Sequence, residues 1–148
     1  MHLSNVTQKF LTDAGWDESR RVDIAAYVDR LEEEGYAVNP FAEEFLSRFG
    51  GLELLQPLYN RENKFEKLYF DPLRACDEIY REKVETYEGR TGESLVVVGM
   101  AYNEYYVLMV SDTGKMYGAY DNFLALVGNT YEEALDTMFL CREMPEVT

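Results

Sequence analysis

The 148-residue chain is predicted to form one α+β domain over residues 1–148, an antiparallel or mixed sheet with helices packed around it. Three observations predict this. Apolar residues recur at helical spacing through the first half, each run preceded by a capping residue. From residue 94 the pattern switches to short β-branched and aromatic runs separated by turn residues. A Thr-x-x-Glu capping box at Thr130 to Glu133 then returns the chain to helix. No Pro-, Gly- or Ser-rich linker and no internal repeat divides this order, and a domain of this length buries roughly 68–70% of its unfolded surface.

Each element has a local reason. A Ser4 or Asn5 cap opens a short helix through Val6, Phe10 and Leu11 that closes at Gly15. A second helix is expected from about Ser19 to Glu34, because Ile24, Tyr27, Val28 and Leu31 share one face, and Gly35 stops it. Asn39 before Pro40 caps a third, whose buried side would be Phe41, Phe45, Leu46 and Phe49, with Gly50-Gly51 as its stop. LELLQPL from Leu52 and KLYF from Lys67 read as strands. Asp71-Pro72 starts a long helix with Leu73, Cys76, Ile79, Tyr80 and Val84 as its core stripe, followed by the loop EGRTGE. SLVVVGM, EYYVLMVS and KMYGAYD form an antiparallel meander, the last two joined by the turn Asp112-Thr113-Gly114. The closing helix turns Ala134, Leu135, Met138 and Phe139 inward.

Charge narrows the partners. The net charge is −14, distributed as −6 over residues 1–58, −1 over 59–90 and −7 over 91–148. Such a surface repels phosphate backbones and anionic lipid, so no direct nucleic-acid or membrane partner is expected, and it steers encounter with a basic protein. The longest aliphatic run, Leu95 to Val98, is far below the ~20 residues of a membrane span, and the start MHLSNVTQKF has no signal-peptide pattern, so a cytoplasmic location is expected. Cys76 and Cys141 are expected to be free and mostly buried thiols.

Reactive chemistry is sparse. His2, the single histidine, sits at the chain start and cannot serve a Ser-His-Asp or Cys-His arrangement inside the fold. Two distant cysteines and one histidine do not make a zinc site, and neither glycine-rich phosphate-binding pattern is present, so no cofactor or metal is expected. Asp112-x-Gly114 is a turn and not a calcium loop, since Lys115, Met116 and Tyr117 hold the following ligand positions. With 28 acidic residues a paired-carboxylate enzyme stays open as one reading. Tyrosine is more suggestive: six of twelve lie between Tyr102 and Tyr131, interleaved with Glu104, Asp112 and Asp121. An acidic, tyrosine-rich sheet suits protein binding, because tyrosine offers large contact area with few rotors to freeze.

AGW at residues 14–16 with Arg20 and Val22-Asp23 behind it, FLSRFGGLEL, GESLVVVG, the YYVLMVSDTGKMYGAYD meander and LVGNTYEEALD follow one another in an order that resembles the third branch of the SUKH superfamily of bacterial immunity proteins. The resemblance covers most of the chain. It implies an α+β fold, no catalysis, and the task of binding and neutralising a cognate secreted toxin, often a nuclease. A regulatory or scaffold module that binds some other cellular protein is the non-catalytic alternative. The candidate partner contacts, chosen for charge or aromaticity outside the helix stripes, are Glu32, Glu33, Glu34, Tyr36, Tyr105, Asp112, Tyr117, Tyr120 and Asp121. Trp16, just past the first helix stop, is expected to serve as a core anchor, with Arg20 or Arg21 pairing nearby acids.

Overall fold

A computed structural model describes residues 2–58 and 61–148. Among the described residues six helices and six strands follow one another as α1 (Asn5–Asp13), α2 (Ala25–Glu33), α3 (Pro40–Phe49), β1 (Glu53–Leu58), β2 (Arg61–Tyr69), α4 (Pro72–Glu78), α5 (Arg81–Thr91), β3 (Leu95–Ala101), β4 (Tyr106–Ser111), β5 (Met116–Tyr120), β6 (Phe123–Gly128) and α6 (Tyr131–Phe139). The strands form one sheet in chain order, antiparallel throughout. The α+β expectation holds, with the antiparallel option chosen.

The strands of the meander are covered on both sides. Every residue of β3 and β4 is buried, which accounts for the unbroken apolar run LVVVGMA in place of a polar alternation. Helix α3 packs on β3 and β4, α4 on β3, α2 on α4, and α1 on α6 and β1. Helix α6 touches both β6 and β1, the two outermost strands. In a flat sheet those edges would stand about 24 Å apart, whereas a nine-residue helix is about 13.5 Å long. The sheet therefore curls until α6 bridges its edges. The chain end lies along the outer edge of β6: the Val147 and Leu126 amides donate to Leu124 and Pro145 carbonyls at 2.7 and 2.9 Å.

Two helices end alike, and this decides where two aromatic rings go. After α1, Gly15 takes φ +99° and the Trp16 amide returns to the Leu11 carbonyl at 3.0 Å; after α2, Gly35 takes φ +96° and the Tyr36 amide returns to Leu31 at 3.0 Å. This left-handed glycine stop turns the next side chain back onto its helix. Trp16 and Tyr36 are accordingly buried, and the Trp16 ring stacks on Phe49 at 5.7 Å, as expected of a core anchor.

Several sequence expectations are corrected. Helix α2 begins at Ala25, not Ser19, because the preceding segment is drawn out along α3: Arg20 donates to the Arg48 and Gly50 carbonyls at 2.8 Å each, and the Val22 amide to Ser47 at 2.8 Å. These bonds satisfy carbonyls at a helix carboxyl end. The expected pairing of Arg20 or Arg21 with an acid is therefore corrected: Arg20 serves these carbonyls, and Arg21 donates to the Glu18 and Arg20 carbonyls at 3.2 and 2.7 Å. The Asp23 carboxylate accepts from the Ala25 amide at 2.9 Å and is the local signal for the later start. The long helix after Asp71 breaks into α4 and α5 at Ile79 and Tyr80, both extended. At 100° per residue an unbroken helix would carry Val84 about 140° around from Ile79; the break lets Val84 and Tyr87 bury, and it expels Tyr80, which is 83% exposed and not part of a core stripe. Much of EGRTGE is the last turn of α5. Phe41 is exposed and lies against Gly114. A sixth strand, β6, stands where no strand is expected, since FLALVG shows no alternation.

Candidate partner-binding face

The break between α4 and α5 sits above one end of the sheet. Glu78, Ile79 and Tyr80 there, Lys83 and Tyr87 from α5, and Glu104, Tyr105, Tyr120 and Asp121 from two sheet turns enclose an open cleft of about 450 Å³. Tyr105 is 63% exposed, and its ring centroid lies 4.8 Å from that of Tyr120. Tyr120 in turn stacks on Phe123 at 5.1 Å and leans on buried Tyr106 at 6.0 Å. The aromatic surface is thus continuous with the core and held at fixed positions, which keeps the ordering cost of a contact low.

The turns that carry these side chains are backbone-strained. Tyr102, Asn103 and Glu104 take φ of +52°, +56° and +73°, and Asp121 takes +49°. L-residues enter this region at a cost of order 1–3 kcal/mol each unless their surroundings hold them there, and such positions gather at functional sites. Here β2 holds them. The Asn103 amide donates to the Lys67 carbonyl at 3.0 Å, the Lys67 amide to Asn103 Oδ1 at 2.7 Å, and the Tyr102 amide to Gln56 Oε1 at 3.3 Å. Arg74, stacked 3.8 Å above the Tyr69 ring, donates to Glu104 at 3.1 Å. The Tyr87 hydroxyl donates to the Asp121 carbonyl at 2.6 Å.

The sequence-derived candidates divide into three groups. Tyr105, Tyr120 and Asp121 line the cleft. Glu32, Glu33 and Glu34 end α2 beside α4, where Arg30 joins Glu34 at 3.2 Å to Asp77 at 2.9 Å. Their counterpart Tyr36 is buried under Arg81, whose guanidinium lies 4.7 Å above its ring; burial pushes the Tyr36 phenol well above its ordinary value. Because Arg81 directly follows Tyr80, the α2 end and the cleft meet at the α4–α5 break. Asp112 and Tyr117 lie apart from the cleft toward the other end of the β4–β5 hairpin, Asp112 about 20 Å away along the six-residue strand β4 and Tyr117 about 10 Å from Tyr120 along β5. Asp112 is exposed, whereas Tyr117 is buried and donates to Glu93. Tyr80, Glu78 and Glu104 complete the cleft and were not among the candidates. The i+4 spacing of Tyr80 from Cys76 places it on a core stripe, and nothing local marks the break that exposes it.

Electrostatically the cleft sets Glu78, Glu104 and Asp121 against Lys83. Three carboxylates elsewhere are shifted, all downward. Burial raises Glu93, but donors from Thr113, Tyr117 and Ser111 outweigh it; burial likewise raises Asp136, and donors from Thr7 and Ser4 outweigh it. Asp17 is lowered by hydrogen bonds from Ser19. These shifts are opposite to the elevation a general acid requires. Among the described residues no group of three His, Cys, Asp or Glu could hold a metal ion, and no helix is long and apolar enough to cross a membrane.

Comparison with known proteins adds one finding. The model of the SUKH-3 immunity protein family matches residues 3–140 of the chain. No curated protein and no solved structure matches it.

Proposed function

The chain belongs to the SUKH-3 immunity protein family, a non-catalytic family whose members imply a cognate toxin to be neutralised, and on that premise we propose that this protein docks its cleft face on a basic surface of a nuclease toxin and masks the toxin's substrate-binding side. The carrying observation is the meeting of exposed Tyr80 and Tyr105 with Glu78, Glu104 and Asp121 in one cleft, with Glu32, Glu33 and Glu34 beyond the α4–α5 break. The division of labour follows from physics. A net charge of −14 draws a basic nuclease in and raises the rate of encounter. The tyrosines then bury area against the toxin and slow release, since such anchors act mainly on dissociation.

A nuclease groove built to hold a polyanion offers the charge that this face complements. Neutralisation inside the producing cell and its siblings, in the cytoplasm, fits an acidic domain that acts by occupancy. Asp112, at the far turn, would touch only a toxin broad enough to span the sheet, and buried Tyr36 would support the face from beneath. Co-expression with the cognate toxin tests the reading. Cells carrying the wild-type chain survive and the two proteins co-purify, with an association rate that falls as salt rises. Undiminished killing, or an association rate indifferent to salt, contradicts it.

A further inference from the structure

Six large apolar side chains are exposed among the described residues, and they are not scattered. Tyr80 and Tyr105 belong to the cleft and Phe41 covers Gly114. The other three, Val6 at 46%, Leu55 at 57% and Phe65 at 47%, border two hollows of about 350 and 270 Å³ along α1. Phe10 and Asp13 line both hollows, so the larger one along α1 and the smaller one between α1 and the β1–β2 hairpin adjoin as one apolar groove. The Phe10 ring marks its floor, 5.0 Å from Phe139 and 6.4 Å from Phe65.

We propose that this groove is a self-association face, through which two copies of the chain pair about a two-fold axis. Charge identifies the occupant. Helix α1 carries one lysine and one aspartate, and the hairpin three basic and three acidic residues, so the face is neutral in a chain of net charge −14. Two such chains meet here without the like-charge repulsion that the acidic faces impose. A basic toxin gains nothing from this face electrostatically, and the acidic cleft lies elsewhere. The face is also self-complementary, as a two-fold interface must be. Lys9 and Asp13 pair with each other one helical turn apart on its rim, at 3.1 Å and 77% and 63% exposed, and antiparallel α1 helices bring this pair against its symmetry mate, so that Lys9 of each copy also faces Asp13 of the other. Strand pairing is not the mode, because Pro57 removes a donor from the edge strand β1. Contact through one nine-residue helix and one hairpin is a small face beside the extended ones of obligate dimers, so the pairing is expected to be reversible and dependent on concentration.

Sedimentation velocity across loadings from about 1 to 500 μM reads the result. The wild-type mass rises from 17.2 kDa toward twice that value, and Leu55→Lys/Phe65→Glu stays monomeric at every loading with an unchanged far-UV spectrum. Should that variant misfold, charge variants on exposed positions decide. Lys9→Glu and Asp13→Lys each weaken self-association several-fold, and an equimolar mixture of the two restores it. A wild-type monomer at all loadings overturns the proposal, as does a dimer that persists in Leu55→Lys/Phe65→Glu. It is equally overturned if the mixture behaves as its components do, or if toxin, and not a second copy, occupies the groove. The outcome is independent of whether the chain protects against a nuclease.

Discussion

The ring of Tyr106 occupies the space that a side chain at Gly118 would need: a Cβ there would stand 2.0 Å from Tyr106 Cε1. The two residues lie on neighbouring antiparallel strands, and Tyr106 is 3% exposed. Tyr120 leans on this ring, so the pair sets the height of the exposed aromatics at the cleft. Gly118→Ala is expected to cost about 1–3 kcal/mol by overpacking. Urea unfolding checks this, as a lower midpoint at unchanged slope.

Asp136 ties the amino-terminal helix to the last one, accepting from the Thr7 hydroxyl at 2.6 Å and the Ser4 amide at 3.1 Å. Burial raises this carboxyl, but the donors win and hold it below its ordinary 3.8. A carboxyl lowered on folding adds stability above its unfolded value and loses it as pH falls through the folded value. Wild-type stability should therefore drop below about pH 4, and Asp136→Asn should flatten that dependence. Glu93, lowered from 4.5, contributes in the same sense. Urea midpoints from pH 6 to pH 3 measure both, and an equal slope in the variant would contradict the assignment.

The two thiols should react unequally. Cys76 is buried, and burial, the largest cause, pushes its pKa up to about 11. Cys141 is half-buried and less shielded. At pH 8 a disulfide reagent should titrate Cys141 first and Cys76 only on unfolding, because the thiolate is the nucleophile. Mass spectrometry of partially labelled protein identifies which cysteine carries the label.

Trp16→Ala should cost about 3–5 kcal/mol, the range for emptying a large aromatic site. The variant loses the stack on Phe49 and with it the docking of α1's carboxyl end. Thermal unfolding followed by circular dichroism reads the loss.

What the sequence made legible was what neighbouring residues decide. Asn39 caps α3 by accepting from the Ala42 amide at 2.8 Å, and Thr130 caps α6 by accepting from Glu133 at 3.1 Å, as their spacing implies. The glycine after α1 and the core role of Trp16 were equally local. Distant contacts escaped. The start of α2 depends on Arg20 reaching α3 thirty residues away, and the exposure of Tyr80 on a helix break set by the packing of Val84 and Tyr87. The candidate face divides in the same way. Tyr105, Tyr120 and Asp121 are marked by composition, whereas their convergence with Tyr80 and Glu78 needs the curl of the sheet and three consecutive left-handed residues.

Stopped-flow binding to the cognate toxin tests the central claim most directly, comparing the wild type with Tyr80→Ala/Tyr105→Ala, whose exposed side chains can be removed without touching the core. Two anchors worth roughly 1–2 kcal/mol each predict dissociation faster by about 30- to 1,000-fold, with association nearly unchanged and still slowed by salt. Dissociation as slow as that of the wild type would place the toxin on another face and contradict the account.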